Sequence, residues 1–184
     1  MFLLDTRYFA GTEPSPLAAG QTTLLGRQQW EWLWEGLRAS TAPFKLLASG
    51  IIWNEAVRPG KPDHWGSYLY ERDALFRFIG QERISGVVLA GGDVHRTRVL
   101  RYETIETAGY PITELITSPI HAGVIDDANA PHSALVHDLG EPHSFLLVTV
   151  DTTVTPPTLA AQFQNGAGRV LYSLTLNTEM LSPA

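Results

Sequence analysis

Apolar residues recur along this chain in a rhythm that changes midway. The segment Met1 to Tyr8 begins as a buried-type strand at its first residue, in the run Met1-Phe2-Leu3-Leu4. Residues 9–23 contain Gly11, Pro14, Pro16 and Gly20 and read as a loop. From about Leu25 to Ala39, Trp30, Leu33, Trp34 and Leu37 follow at i, i+3, i+4 and i+7, which predicts a helix packed through its tryptophan face into the core. Phe44 to Ile52 reads as a second strand. The loop after it carries Trp53, Asn54, Asp63, His64, Trp65 and Tyr68 among Pro59, Gly60, Pro62 and Gly66. A second helix is predicted from about Ser67 to Gln81, burying Tyr68, Leu75, Phe76 and Ile79, and Val87 to Gly91 follows as a third strand.

The order strand, helix, strand, helix, strand implies right-handed crossovers and a parallel sheet covered by helices, with the strand ends opening on one edge. Beyond His95 the rhythm shortens. Thr97 to Tyr102, Pro111 to Thr117, Ser144 to Asp151, Thr158 to Gln164 and Arg169 to Asn177 read as strands with no helix between them, so this half is predicted to be antiparallel. Asn165-Gly166-Ala167-Gly168 is a hairpin turn, because Asn and Gly tolerate positive φ. Residues 121–143 are irregular and hold His121, Asp126, Asp127, His132, His137, Asp138 and His143. No close pair of ligand types sits on a regular element there, which favours a solvated loop over a metal site. The fold class is therefore α/β.

Composition removes several chemistries. A chain of 184 residues with 44% hydrophobic content and five Trp can bury one sizeable core. The formal net charge of −6 argues against broad, sequence-independent nucleic-acid binding, which needs a dense positive surface. The absence of Cys excludes disulfides, thiolate catalysis and zinc–thiolate sites. No apolar run approaches the roughly 20 residues of a membrane span, and neither a basic n-region nor a cleavage site marks the N-terminus. Neither a glycine-rich phosphate loop nor a Gly-x-Ser-x-Gly elbow occurs, so metal or anion chemistry is what remains.

The residues for it stand at Gly92-Asp93-Val94-His95, directly after the third strand. A carboxylate and an imidazole two residues apart, at the carboxyl end of a buried strand, offer a hard oxygen and a borderline nitrogen to one cation. The bland alternative is a turn with an exposed histidine. Arg7 follows the first strand and either grips a phosphate with paired N–H donors or pairs with Asp5 or another carboxylate. Asp63, Trp65 and Tyr68 either shape a pocket or anchor their loop. Arg96 and Arg98 either add positive potential or are exposed on a strand face.

Five segments in this order resemble the C-terminal half of the PhoD-like alkaline phosphatases, members of the calcineurin-like metallophosphatase superfamily. They are Phe2 to Arg7, Leu25 to Leu33, Ser40 to Lys45, Asp63-x-Trp65-Gly66-x-Tyr68 with Glu71-Arg72, and Leu89 to His95. The resemblance covers roughly residues 2 to 120 by motif. It implies a partial four-layer α/β/β/α sandwich, with the whole of residues 1–184 as the C-terminal portion of one metallophosphatase domain. The implied activity is hydrolysis of small phosphate esters, either monoesters or diesters. A multinuclear centre of calcium, iron, manganese or zinc would bind the phosphate oxygens and activate water. By the same resemblance Asp93 and His95 are metal ligands, and Arg7, Asp63, Trp65 and Tyr68 contact substrate. The superfamily's earlier metal motifs are an Asp-x-His, a Gly-Asp-x-x-Asp and an Asn-His with a following acidic residue; none precedes the Asp5-Thr6-Arg7 segment here. The expectation is thus a partial centre, a partner in the form of an N-terminal half or a second copy, and negligible turnover by the chain alone. The alternative is a non-catalytic remnant or binding module of the same fold. Members are often periplasmic or extracellular, and the sequence leaves the compartment open.

Overall fold

The computed structural model describes residues 1–121 and 123–183. Its larger sheet has six strands in the order β1-β2-β3-β5-β4-β6, and a separate sheet has the order β7-β8-β9. The strands are β1 (Phe2–Leu4), β2 (Lys45–Ser49), β3 (Val87–Gly91), β4 (Thr97–Arg101), β5 (Thr113–Ile116), β6 (Leu135–Leu139), β7 (Ser144–Asp151), β8 (Thr158–Asn165) and β9 (Val170–Asn177). The helices are α1 (Arg27–Ala39), α2 (Leu69–Gln81) and the single-turn α3 (Ile105–Ala108).

The first half follows the expected plan. β1, β2 and β3 are parallel, with Leu47 opposite Phe2 on one side and Leu89 on the other. α1 buries Trp30, Leu33 and Leu37, the residues its spacing selects, while Trp34 is half-buried. α2 buries Leu75, Phe76, Phe78 and Ile79 and is preceded by a 3-10 turn over Trp65–Tyr68, which leaves Tyr68 only half-buried. β1 begins one residue later than expected, at Phe2, and stops at Leu4. Asp5 ends it by accepting the backbone N–H groups of Arg7 and Tyr8, and Leu3 on this edge strand stays exposed.

The second half departs from a purely antiparallel arrangement. β5 pairs parallel with β3 and antiparallel with β4, so the strand that follows the Gly92–Arg96 turn lies one place beyond β5. Between β4 and β5 the chain makes α3, which packs on α2. A Cβ on Gly80 would come within 2.1 Å of the Thr107 carbonyl oxygen, so only glycine lets these helices approach. β6 emerges from the segment read as irregular. Its polar His137 and Asp138 obscure the strand pattern; in the fold His137 stacks on Tyr172, and Asp138 pairs with Arg96 and Arg98.

Alternate residues of β4 and β5 face two different layers. Tyr102, just past β4, meets Phe76 of α2, whereas Val99, Arg101 and Thr113 share a cavity with Tyr172 and Leu174 of β9. Leu159, Ala161 and Phe163 of β8 join the helix residues in one continuous core. Among the described residues this makes three layers: helices, mixed sheet and antiparallel sheet. The outer face of the last layer exposes Phe145 and Leu147. No helix among the described residues is long and apolar enough to cross a membrane.

Candidate active site at the ends of β1, β2 and β3

Parallel pairing brings the carboxyl ends of β1, β2 and β3 to one edge, and the loops that leave them supply the charged residues. After β3 the chain reverses within a few residues. Asp93 and His95 both take left-handed backbone, with φ of 67° and 53°, while Val94 between them is buried. Non-glycine residues in that region cost roughly 1 kcal/mol or more each, so the turn is held against its local preference by what surrounds it. One such restraint lies at Gly91, where a Cβ would come 2.9 Å from Glu114 Oε1 and 3.2 Å from the Ile51 carbonyl oxygen. The close approach locks the β2 loop onto β3.

Four charged side chains converge at this edge. Lys61 Nζ lies 2.9 Å from Asp63 Oδ1 and 2.6 Å from Asp93 Oδ2. Arg7 reaches the same pair from β1, with Nη1 2.9 Å from Asp63 Oδ2 and Nη2 3.6 Å from Asp93 Oδ2. Burial pushes the Asp63 carboxyl up, but hydrogen bonds from Lys61 and Arg7 and the Lys61 charge outweigh it and hold the group at about 2. His95 stands beside the cluster with Nδ1 2.8 Å from the Gly123 carbonyl oxygen. A carbonyl can only accept, so Nδ1 carries the proton and the lone pair is left on Nε2.

Of the residues marked in the sequence, Arg7, Asp63 and Asp93 meet in this cluster, and His95 shares a small cavity with Lys61 and Asp93. Tyr68 lines a neighbouring cavity with Arg7 and Asp63. Trp65 does not reach either. It is fully buried, stacked on Trp53 at 4.2 Å between centroids, with its indole N–H donated to Ser49 Oγ at 3.0 Å, and so supports the loop from beneath. Trp53 in turn donates its indole N–H to the Ala90 carbonyl at 2.9 Å, tying the loop to β3.

Two contributors escape a reading of the sequence, and a third is placed wrongly by it. Lys61 is one, although its place two residues before Asp63 in a Pro- and Gly-rich loop is a usable signal. Glu114 is another: it is fully buried and accepts the Trp53 backbone N–H at 2.9 Å, the Asn54 side-chain amide at 3.1 Å and the Tyr102 hydroxyl. Burial raises its pKa despite those donors. Arg98 is the third. It is neither exposed nor a source of free positive potential. Fully buried, it donates to the carbonyls of Ala56 at 2.9 Å and of Ala130, and its Nε lies 2.9 Å from Asp138 Oδ2. Arg96 is also bound to Asp138, through Nε at 2.6 Å.

The histidines of residues 121–143 do not gather. His132 Nε2 faces Glu55 Oε1 at 3.6 Å and His137 stacks on Tyr172. Among the described residues no three His, Asp or Glu side chains form a group able to hold a metal ion, and Asp93 with His95 remain a pair.

Residues 1–170 match the family described as PhoD-like phosphatase. Alkaline phosphatase D of Bacillus subtilis (strain 168) is 35% identical over 79 residues, which cover 40% of this chain and 14% of that protein. A solved structure titled "Structure of PhoD" superposes with a TM-score of 0.66 at 19% identity, over 96% of this chain and 39% of that one. The chain thus spans well under half the length of these two relatives, and the likeness to the solved structure establishes shared architecture. Taken with the match over residues 1–170, these findings show that the chain belongs to the PhoD-like phosphatase family.

Proposed function

We propose that the edge formed by β1, β2 and β3 is the C-terminal share of a metal-dependent phosphoric ester hydrolase site. The observation that carries this is the meeting of Arg7, Lys61, Asp63 and Asp93 beside a histidine whose Nε2 is free to bind. Arg7 and Lys61 bring N–H donors that suit the oxygens of a phosphate dianion. Asp63 holds both cations in place, since it accepts from each. Val94, packed inward, fixes the directions in which its two neighbours leave the chain.

The donor set fits two positions of a metal shell. Asp93 offers carboxylate oxygen and His95 offers Nε2, with Nδ1 held by a backbone carbonyl in the manner of ligating histidines. A bound divalent or trivalent cation would neutralise charge building on the phosphate. With two protein donors the affinity is expected to be weak, and ligands from outside this pair complete the shell. Calcium, iron, manganese and zinc all remain eligible for such a mixed oxygen and nitrogen set.

Two readouts test the assignment on the purified chain. Equilibrium dialysis against manganese should show weak binding that His95→Ala and Asp93→Ala each remove, with thermal stability retained in His95→Ala. A chromogenic aryl phosphate, offered with each of the four metals, should be hydrolysed slowly at most, and only with metal. Manganese binding unaffected by both substitutions would sink the ligand assignment. Phosphate binding with no turnover under any metal would instead favour a binding module of the same fold.

A further inference from the structure

Two cavities flank the charge cluster, and they differ in character. One, of about 100 Å³, is lined by Arg58, Lys61, Asp93, Val94, His95 and Ile125. The other, of about 220 Å³, has Arg7 and Asp63 at the cluster and Ala10, Leu24, Ile51 and Pro62 among its other walls. Arg7 and Asp63, which border the larger cavity, bond across to Asp93 and Lys61, which border the smaller, so the four charges form the partition between them. An anionic head group held at this partition has charged walls on one side and largely apolar walls on the other.

We propose that the larger cavity is a subsite for the organic group of a phosphate ester, and that the group it takes is a single aromatic ring or a short alkyl chain. The proposal rests on the phosphate-ester reading above and specifies its substrate class. Leu24 and Ile51 belong to the hydrophobic core, so the inner wall is rigid and apolar. Besides the charged residues at the mouth, which the phosphate would engage, Thr6 and Tyr68 are polar residues on its walls. His64 also borders the space, and its imidazole is held below the usual histidine range chiefly by burial, which favours a neutral wall near neutral pH. Size points the same way. An engineered apolar cavity of about 150 Å³ holds benzene, so 220 Å³ accommodates one ring with small substituents. A nucleoside needs more room.

Calorimetric titration with inorganic phosphate, methylphosphonate, phenylphosphonate and adenosine monophosphate, in the presence of manganese, separates the possibilities. Phenylphosphonate should bind about tenfold or more tightly than methylphosphonate, a difference that burial of one ring readily supplies. Adenosine monophosphate should gain nothing over methylphosphonate. Ala10→Trp, which places a large side chain from a half-buried wall position into the cavity, should bring the phenyl-to-methyl ratio towards one. A wild-type ratio near one, with phosphate still bound, overturns the subsite and leaves the phosphate-ester reading standing. A phenyl preference that survives in folded Ala10→Trp places the ring elsewhere and also overturns it. Absence of binding by all four anions overturns both readings. The wild-type ratio decides the matter by itself if the variant does not fold.

Discussion

Lys61 Nζ lies 2.6 Å from Asp93 Oδ2, and the lysine side chain is only 9% exposed. The ammonium thus occupies the same carboxylate that the metal reading assigns to a cation. On that reading lysine and metal would compete for one oxygen, and the competition would have a direction. Lys61→Met should strengthen manganese binding several-fold by leaving Asp63 and Asp93 less compensated, while weakening the binding of phosphate. Dialysis with each ligand in turn measures both; weaker binding of manganese in the variant would show that Lys61 organises the carboxylates for metal rather than opposing it.

Val94 separates the roles of ligation and folding at the same turn. With 2% of its surface exposed between two outward-facing neighbours, it has no room for a solvated charge. Val94→Asp should cost several kcal/mol of stability through an unpaired buried carboxylate, seen as a large fall in the urea midpoint. Full retention of that midpoint would mean that the turn rotates Val94 out to solvent.

Two carboxyl groups give stability contributions of opposite sign with pH. Asp63 is lowered to about 2 from 3.8, so its contribution is present above 3.8 and is lost as pH falls towards 2. Glu114 is raised from 4.5, so its contribution is present below that value and is lost as pH rises through its folded value. Thermal melts of wild type at increasing pH above 4.5 should therefore carry a downward component from Glu114 that Glu114→Gln lacks. An unchanged slope in that variant would show Glu114 ionised in the fold throughout the range.

Arg98 tests whether the clamp beside the site is structural. Arg98→Met removes a buried cation and leaves the Ala56 and Ala130 carbonyls without their donor, which should cost about 3–5 kcal/mol by chemical denaturation. Arg98→Lys should recover part of the loss. A Met variant as stable as wild type would mean that the ion group only offsets its own desolvation.

The elements that could be read from the sequence were those whose partners are close by or repeat regularly. Trp30, Leu33 and Leu37 announce α1 through spacing alone, and Val87 to Gly91 announces β3 through an unbroken apolar run. Asp93 and His95 stand out because a strand end is where such residues gather. Hidden from view were residues whose meaning depends on distant neighbours. Glu114 looks like a blemish in an apolar strand until Trp53, Asn54 and Tyr102 are seen around it. Arg98 reads as a surface residue until β6 supplies Asp138, and β6 itself is masked by the polar residues that pair with its neighbours. Lys61 is exposed in character by sequence and sheltered in fact, because Asp63 and Asp93 come from different strand ends to enclose it.

The single guanidinium of Arg98 also has a kinetic consequence. It grips Ala56 in the loop that leads to Lys61 and Asp63, and Ala130 in the segment that includes Gly123, the residue that fixes His95. Neither segment can lift away without releasing the same buried group, so the two are coupled in their opening. Amide protons on both sides of the cleft should then exchange with solvent water at matched rates, as one small cooperative unit. The walls of the site would breathe together instead of fraying one at a time.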